Sequence, residues 1–319
     1  MKLHHDKKLF SEAIRAASEG LNILPIFIEK DYWITLSLYQ LSQSKFSKIT
    51  VFKGGTSLSK AYNLISRFSE DIDLAIIDYH PKTSHQAKKI LTSLTKDITK
   101  EFTEKNVDGL TEKGSNFRRS VYEYASTNSK NKSNQIIIEA NSLANAHPYS
   151  LLEIESLIRT FFNQSKQNQF SNEFDLEPFK INVLDKRQTL IEKFVSLIRF
   201  SFDENVNQTI KTKIRHFYDL YFLVLDRDCR SFLDSKDFFT QITKTLNRDK
   251  KNLIYPEEWF NKNIVESPLI TDFDSIWDQL KDTYTKELMA LAFNEIPSQK
   301  AISKNFKFLI KKYIKVLQV

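Results

Sequence analysis

The stretch 51-VFKGGTSLSKAYNLISRFSEDIDLAII-77 decides how the rest of the chain is read. The chain has five glycines in 319 residues, and two of them, Gly54 and Gly55, stand side by side here. A short apolar run, Ile49 to Phe52, precedes them. An amphipathic segment follows and leads into Ser69-Glu70-Asp71-Ile72-Asp73-Leu74 and a second apolar run. The pattern predicts a strand over Ile49–Lys53, a glycine turn, a helix over Thr56–Phe68, and a strand over Asp71–Ile77 that carries two carboxylates.

Side chains alternate along a strand, so Asp71 and Asp73 share one face while Ile72 and Leu74 turn to the core. Neighbouring carboxylates repel unless a cation sits between them. Hard divalent ions are held by one or two carboxylates plus substrate phosphates, the arrangement that metal-assisted phosphoryl chemistry uses. A glycine pair opening a helix lets the backbone approach a phosphate closely. Lys53, Thr56, Ser57 and, if the strand starts early enough, Ser69 add further candidate donors to a nucleotide. Taken singly, a glycine pair is most often a plain turn and two acids two apart a solvated strand edge. Their succession is the rarer and more informative signal.

Composition sets the bounds. The net charge is +7 and the sequence pI is about 9.1, which favours an anionic partner, nucleic acid above all. One cysteine, Cys229, excludes an internal disulfide framework and a cysteine-based zinc site. The six histidines show no HxxxH spacing. No run approaches the ~20 apolar residues of a membrane span, and the charged start MKLHHDKKLF lacks a signal core. The expectation is a cytoplasmic protein with no membrane partner.

Periodicity predicts helices over Asp6–Ser18 and Ile26–Leu41, the charges of Glu29-Lys30-Asp31 in the second reading as a solvated face. His80-Pro81 closes the carboxylate strand. A polar helix over Ser84–Phe102 and strands over Phe117–Ser126 and Gln135–Asn141, joined by the polar run Thr127–Asn134, follow. Pro148–Ser165 is mixed, Gln164–Asp175 reads as a loop, and Phe179–Leu184 as a strand. From Lys186 the chain is helical, over Gln188–Phe202, Ile214–Leu225, Ser235–Leu246, Ser275–Phe293 and Ser298–Leu317. The fold class is therefore α+β: residues 1–185 form a mixed sheet core with helices, and residues 186–319 a mostly helical domain.

The succession of glycine pair, helix and DxD strand resembles the nucleotidyltransferase superfamily pattern. The longer string KGGTSLSKAY…RFSEDIDL is similar to the AbiEii/AbiGii toxin branch, which includes the MenT-type enzymes. Glu29-Lys30-Asp31-Tyr32-Trp33, Thr189-Leu190-Ile191-Glu192-Lys193 and His216-Phe217-Tyr218-Asp219-Leu220-Tyr221 are similar to three further elements of that branch. The resemblance implies a nucleotidyltransferase-type sheet core and marks Lys193 and Asp219 as active-site residues.

The residues also make chemical sense directly. Asp219 lies in an apolar helical run, where an unpaired carboxylate is costly, and Lys193 is its natural partner. Taken alone, Lys193 could equally be a surface lysine. Glu139, ending the strand Gln135–Glu139, is a third candidate metal ligand or an ordinary strand end. Arg118 or Arg119 could clamp phosphates, but a regular strand lets only one of them face the site.

The implied reaction is transfer of a nucleoside monophosphate from an NTP, with Mg²⁺ or Mn²⁺ held by Asp71, Asp73 and Glu139. Lys53, Gly54, Gly55, Thr56, Ser57, Ser69 and Arg118 would bind the nucleotide. The resemblance implies a toxin of a toxin–antitoxin or phage-defence system, with a cognate antitoxin as partner. Its acceptor would be RNA, the 3′ end of tRNA, and translation would stop. Lysines of the helical half, among them Lys244, Lys251, Lys304, Lys311 and Lys315, could follow an RNA backbone or simply be solvated helix faces. Two other readings stay open: transfer to a protein hydroxyl or kinase-like phosphotransfer, and a non-catalytic NTP- or RNA-binding module.

Overall fold

The computed structural model describes residues 1–77, 83–128, 134–252 and 255–317, with side chains to residue 315. The predicted strand stop at His80-Pro81 and most of the predicted hairpin loop therefore lie outside the described residues. The chain divides into two units, Met1–Asn63 with Phe68–Leu184, and Leu64–Arg67 with Asp185–Val319.

The first unit opens with helices α1 (Lys7–Leu21) and α2 (Pro25–Gln43). Pro25 starts α2 at a position where a missing N–H costs nothing. Strand β1 (Thr50–Lys53) runs into the short helix α3 (Gly54–Lys60), and β2 (Asp71–Ile76) follows. Then come α4 (Ser84–Asp97), β3 (Thr103–Lys105), β4 (Glu112–Lys113), β5 (Phe117–Glu123), β6 (Gln135–Asn141) and β7 (Tyr149–Ile154). Helices α5 (Leu157–Gln164) and α6 (Asn168–Glu173) precede β8 (Phe179–Leu184).

The strands form one mixed eight-stranded sheet in the order β3-β5-β6-β2-β1-β8-β7, with β4 also on β5. The carboxylate strand β2 is central, antiparallel to β1 and parallel to β6. Its inner residues Ile72 and Leu74 are buried, as the alternation predicts. On the other face, Val51 and Ala75 pack into an apolar cluster with Ile77, Ala146 and Leu184. Helix α2 packs on β6 and β8, and α4 on β5 and β6.

Three expectations change here. The helix after the glycine pair ends at Lys60 rather than Phe68. Asn63 then adopts a left-handed φ of 50°, which asparagine tolerates and which ends helical progression. Residues Leu64–Ser66 form no regular element; Arg67 bridges Ala292, and the Phe293 N–H donates to the Ser66 carbonyl at 2.8 Å. The polar run Gln164–Asp175 is not wholly a loop, since α6 forms a short helix within it. Finally, the Glu29-Lys30-Asp31 charges are not a solvated face but lie 3%, 2% and 6% exposed.

The second unit is helical: α7 (Lys186–Phe200), α8 (Val206–Lys211), α9 (Arg215–Leu225), α10 (Arg227–Phe232), α11 (Lys236–Asn252), α12 (Pro268–Thr271), α13 (Phe273–Leu291) and α14 (Gln299–Leu317). Helix α9 is central, packed against α7, α13 and α14. Aromatic rings fill that interior, with Phe217 4.8 Å from Phe306 and 5.3 Å from Trp277. No described helix is long and apolar enough to cross a membrane.

Candidate active site

In the first unit the site is built from the β1–α3 turn, β2, β6 and β5. Gly54 has φ +79°, a conformation that L side chains rarely adopt. A Cβ at this position would meet the Asp73 carboxylate, 2.8 Å from Cγ and nearer still to Oδ2. The absence of a side chain at residue 54 is thus what lets the Asp73 carboxylate lie against the turn. Thr56 Oγ1 donates to the Asp71 carbonyl at 2.5 Å and Ser57 Oγ to the Gly54 carbonyl at 2.8 Å. Both residues are buried. Their hydroxyls brace the turn and β2, each buried hydroxyl finding a backbone carbonyl as its partner.

Strand register decides who shares the carboxylate face. Lys53 lies opposite Asp73 on β1, and Glu139 opposite Asp73 on β6. Arg119 lies opposite Glu139 on β5. Arg119 grips Glu139, its Nε donating to Oε1 at 2.6 Å. Arg118 is opposite Ala140 and so on the other face, where its guanidinium donates to Glu104 at 2.8 Å. The expectation for Arg118 is therefore corrected to Arg119, because neighbouring strand residues point to opposite sides. The oxygens of Asp71, Asp73 and Glu139 do not all come within 4.8 Å of one another. Glu139 is turned to Arg119, and the hard-oxygen pair that fits a divalent ion is Asp71 with Asp73. Ser69 is buried and precedes the strand, which begins at Asp71, so it does not take a regular place on the carboxylate face.

Helix α2 holds this region from behind with three buried charges. Glu29 accepts from the Thr127 N–H at 2.6 Å and from Ser126 Oγ at 2.9 Å, beyond the end of β5. Lys30 donates to Glu70, the residue before Asp71, at 2.8 Å. Asp31 takes Lys60, the last residue of α3, at 2.5 Å and the Leu157 N–H at the start of α5 at 2.8 Å. One turn of one helix thereby ties down the end of the glycine helix and the beginning of the DxD strand. The amphipathic pattern gives no hint of this, because each partner lies far away in sequence.

In the second unit, Asp219 on α9 is fully buried. Arg67 grips it through two bonds, Nε at 2.7 Å and the terminal nitrogen at 2.6 Å. Lys193 Nζ on α7 lies 2.8 Å from Oδ2, the oxygen that also takes the Arg67 terminal nitrogen. Burial by itself would raise the Asp219 pKa, but the two cations outweigh it and hold the carboxyl well below its usual range. His216, one turn earlier on α9, is pushed well below its ordinary value by burial, with the Lys193 cation adding to the effect. The Lys193–Asp219 pair matches the sequence expectation. Arg67 does not figure in it, although a bidentate acceptor buried in an apolar helix calls for a fork-shaped donor.

The glycine-turn helix leading to a DxD strand in a mixed sheet is the pattern by which the sequence resembles the nucleotidyltransferases. The family described as nucleotidyl transferase AbiEii toxin, type IV toxin–antitoxin system, matches residues 36–307, and the chain belongs to it. It is accordingly a nucleotidyltransferase toxin of that family. Among solved structures it is similar to MenT4, a nucleotidyltransferase toxin from Mycobacterium tuberculosis, with a TM-score of 0.56 at 15% identity over 93% of this chain and 89% of that one. A sequence search of curated proteins finds no match.

Proposed function

We propose that the enzyme transfers a nucleoside monophosphate from an NTP to an RNA acceptor, the 3′ end of tRNA, and so inhibits translation, under the control of a cognate antitoxin. The observation that carries the chemistry is the Asp73 carboxylate lying against a Cβ-free, left-handed Gly54. That contact brings the carboxylate of the strand against the backbone of the turn, the two groups that would share a metal-bound triphosphate.

Asp71 and Asp73 would hold the divalent ion, Mg²⁺ or Mn²⁺, which when bound offsets the charge of the triphosphate. The Gly54–Gly55 backbone and Lys53 would receive the phosphates, and Arg119 is the arginine on their face. The acceptor hydroxyl loses its proton to water as its oxygen attacks the α-phosphorus and forms the new P–O bond, and pyrophosphate leaves with the electrons of the bond that breaks. Lys193 would meet phosphate charge as it develops. Arg67 neutralises Asp219 with a bidentate pair of its own, so the Lys193 charge is surplus to that pair.

An RNA acceptor is supported by the +7 charge and by Lys244, Lys251, Lys304, Lys311 and Lys315, which are exposed. Arg248, Lys307 and Lys312 are engaged with Asp249, Asp274 and Asp234 and contribute less. A cytoplasmic place of action fits an enzyme that consumes NTP and modifies RNA, and restraint of phage growth fits a toxin of this family.

The test incubates the protein with each α-³²P NTP and each γ-³²P NTP, with total RNA and with total protein. Label from the α-position in tRNA, lost in Asp73→Ala, is expected. Label in protein, or from the γ-position, would replace this acceptor or this reaction with another.

A further inference from the structure

The beginning of the first unit carries a second cluster built from other residues. His4 and His5 sit on the one-turn helix Leu3–His5, and Glu101 follows α4. One ligand atom from each of the three lies within 4.8 Å of the other two. Among the described residues, no other three His, Cys, Asp or Glu side chains meet that spacing. A tetrahedral ion with bonds of about 2 Å draws its ligand atoms to roughly 3.4 Å from one another. His5 and Glu101 are exposed, so their side chains are free to close that difference.

His4 supplies the independent sign of a ligand. Its side chain is 8% exposed. Its Nε2 is buried with no hydrogen-bond partner, and Glu101 Oε2 lies 3.9 Å away. A buried ring nitrogen without a partner is costly and calls for an explanation. The opposite nitrogen, Nδ1, is 2.7 Å from the hydroxyl of buried Tyr32. Trp33, 5.0 Å away, packs beside the ring. Metal-binding histidines are oriented in this way, through the nitrogen that does not bind.

We propose that His4, His5 and Glu101 form a site for a divalent transition-metal ion of the zinc class, which staples the N-terminal turn to the segment after α4. Two imidazoles and one carboxylate suit zinc, cobalt or nickel, whereas the oxygen-only pair Asp71/Asp73 suits magnesium. The two sites therefore differ in the ion they select. The zinc-class site ties down residues that take no part in nucleotide transfer.

The test uses the full chain freed of any affinity-tag histidines, titrated with Co²⁺ in saturating Mg²⁺. One equivalent of Co²⁺ with a visible d–d spectrum is expected, displaced by Zn²⁺, and Zn²⁺ should raise the melting temperature. His5→Ala and Glu101→Gln, both at exposed positions, should each weaken Co²⁺ binding at least about ten-fold while leaving the metal-free melting temperature in place. Asp71→Ala with Asp73→Ala should keep the Co²⁺ spectrum. Absence of one-equivalent binding, equal binding by the His5→Ala/Glu101→Gln double variant, or loss of the spectrum with the Asp71/Asp73 pair would each overturn the site.

Discussion

A Cβ on residue 54 would lie 2.8 Å from Cγ of Asp73. Two separate constraints thus fall on one glycine: its φ of +79° and its contact with the carboxylate two residues into the next strand. An alanine there must move Asp73, unwind the turn, or both.

Gly54→Ala is accordingly expected to destabilise the first unit by about 1–2 kcal/mol from the backbone alone. A displacement of Asp73 by about 1 Å would cut transfer on the order of a hundred-fold. Melting curves and the α-³²P assay read the two effects separately. Wild-type transfer by Gly54→Ala would remove the contact from the mechanism.

Asp219 and Lys193 should separate stability from chemistry. Asp219→Ala leaves Arg67 and Lys193 buried without their acceptor, a loss of about 3–5 kcal/mol and on the order of ten degrees in melting temperature. Lys193→Met leaves the Arg67–Asp219 pair in place. It should cost only about 1–2 kcal/mol yet lower transfer on the order of a hundred-fold or more. If the two variants melt alike and both retain activity, Lys193 is structural.

The side chains of the Asp31–Lys60 pair are buried on both sides. Asp31→Ala strands Lys60 and the Leu157 N–H, and about 3–5 kcal/mol of stability should go. Adding Lys60→Met removes the stranded charge and should recover about 1–3 kcal/mol. Strictly additive losses in this cycle would show that the pair is not coupled.

Acid should destabilise the protein in two stages. His4 and His216 have folded pKa values below the ordinary 6.5, His4 at about 4. Below pH ~6.5 the unfolded chain therefore takes up protons that the folded chain refuses, and stability falls as pH drops. Asp219 is also depressed. Its contribution is complete above the unfolded carboxylate value of about 3.9 and is lost as pH falls below it. Melting temperature against pH should decline from 6.5 downward and steepen near 4. In His216→Gln the first decline should be shallower, and an unchanged slope would assign it elsewhere.

Arg118 and Arg119 offer a test of register. Arg119→Ala should lower transfer about ten-fold, since Arg119 lies on the face of Asp73 and holds Glu139. Arg118→Ala breaks the pair with Glu104 on the opposite face and should leave transfer within about two-fold. The reverse result would place the nucleotide on the other side of the sheet.

Much of this is legible in the sequence. Strand β8 spans Phe179–Leu184 as the apolar run predicts, and β2 starts at Asp71 with Ile72 and Leu74 inward. These are local facts, set by alternation and by where glycine and proline interrupt it. Glu29, Lys30 and Asp31 misled for the opposite reason. Three adjacent charges look solvated unless their partners are known, and Thr127, Glu70 and Lys60 stand 29 to 98 positions away.

The same division holds for the site. Sequence by itself determined the chemistry available: a glycine pair before a helix, two carboxylates on one strand face, and an acid in an apolar helix that must find a cation. Tertiary structure alone decided the partners. It put Arg67 beside Lys193 on Asp219, turned Glu139 to Arg119, sent Arg118 to the far face, and set the Asp73 carboxylate against Gly54. Local pattern follows from the backbone's few allowed conformations, whereas a buried charge is satisfied by whatever the folded chain brings within about 3 Å.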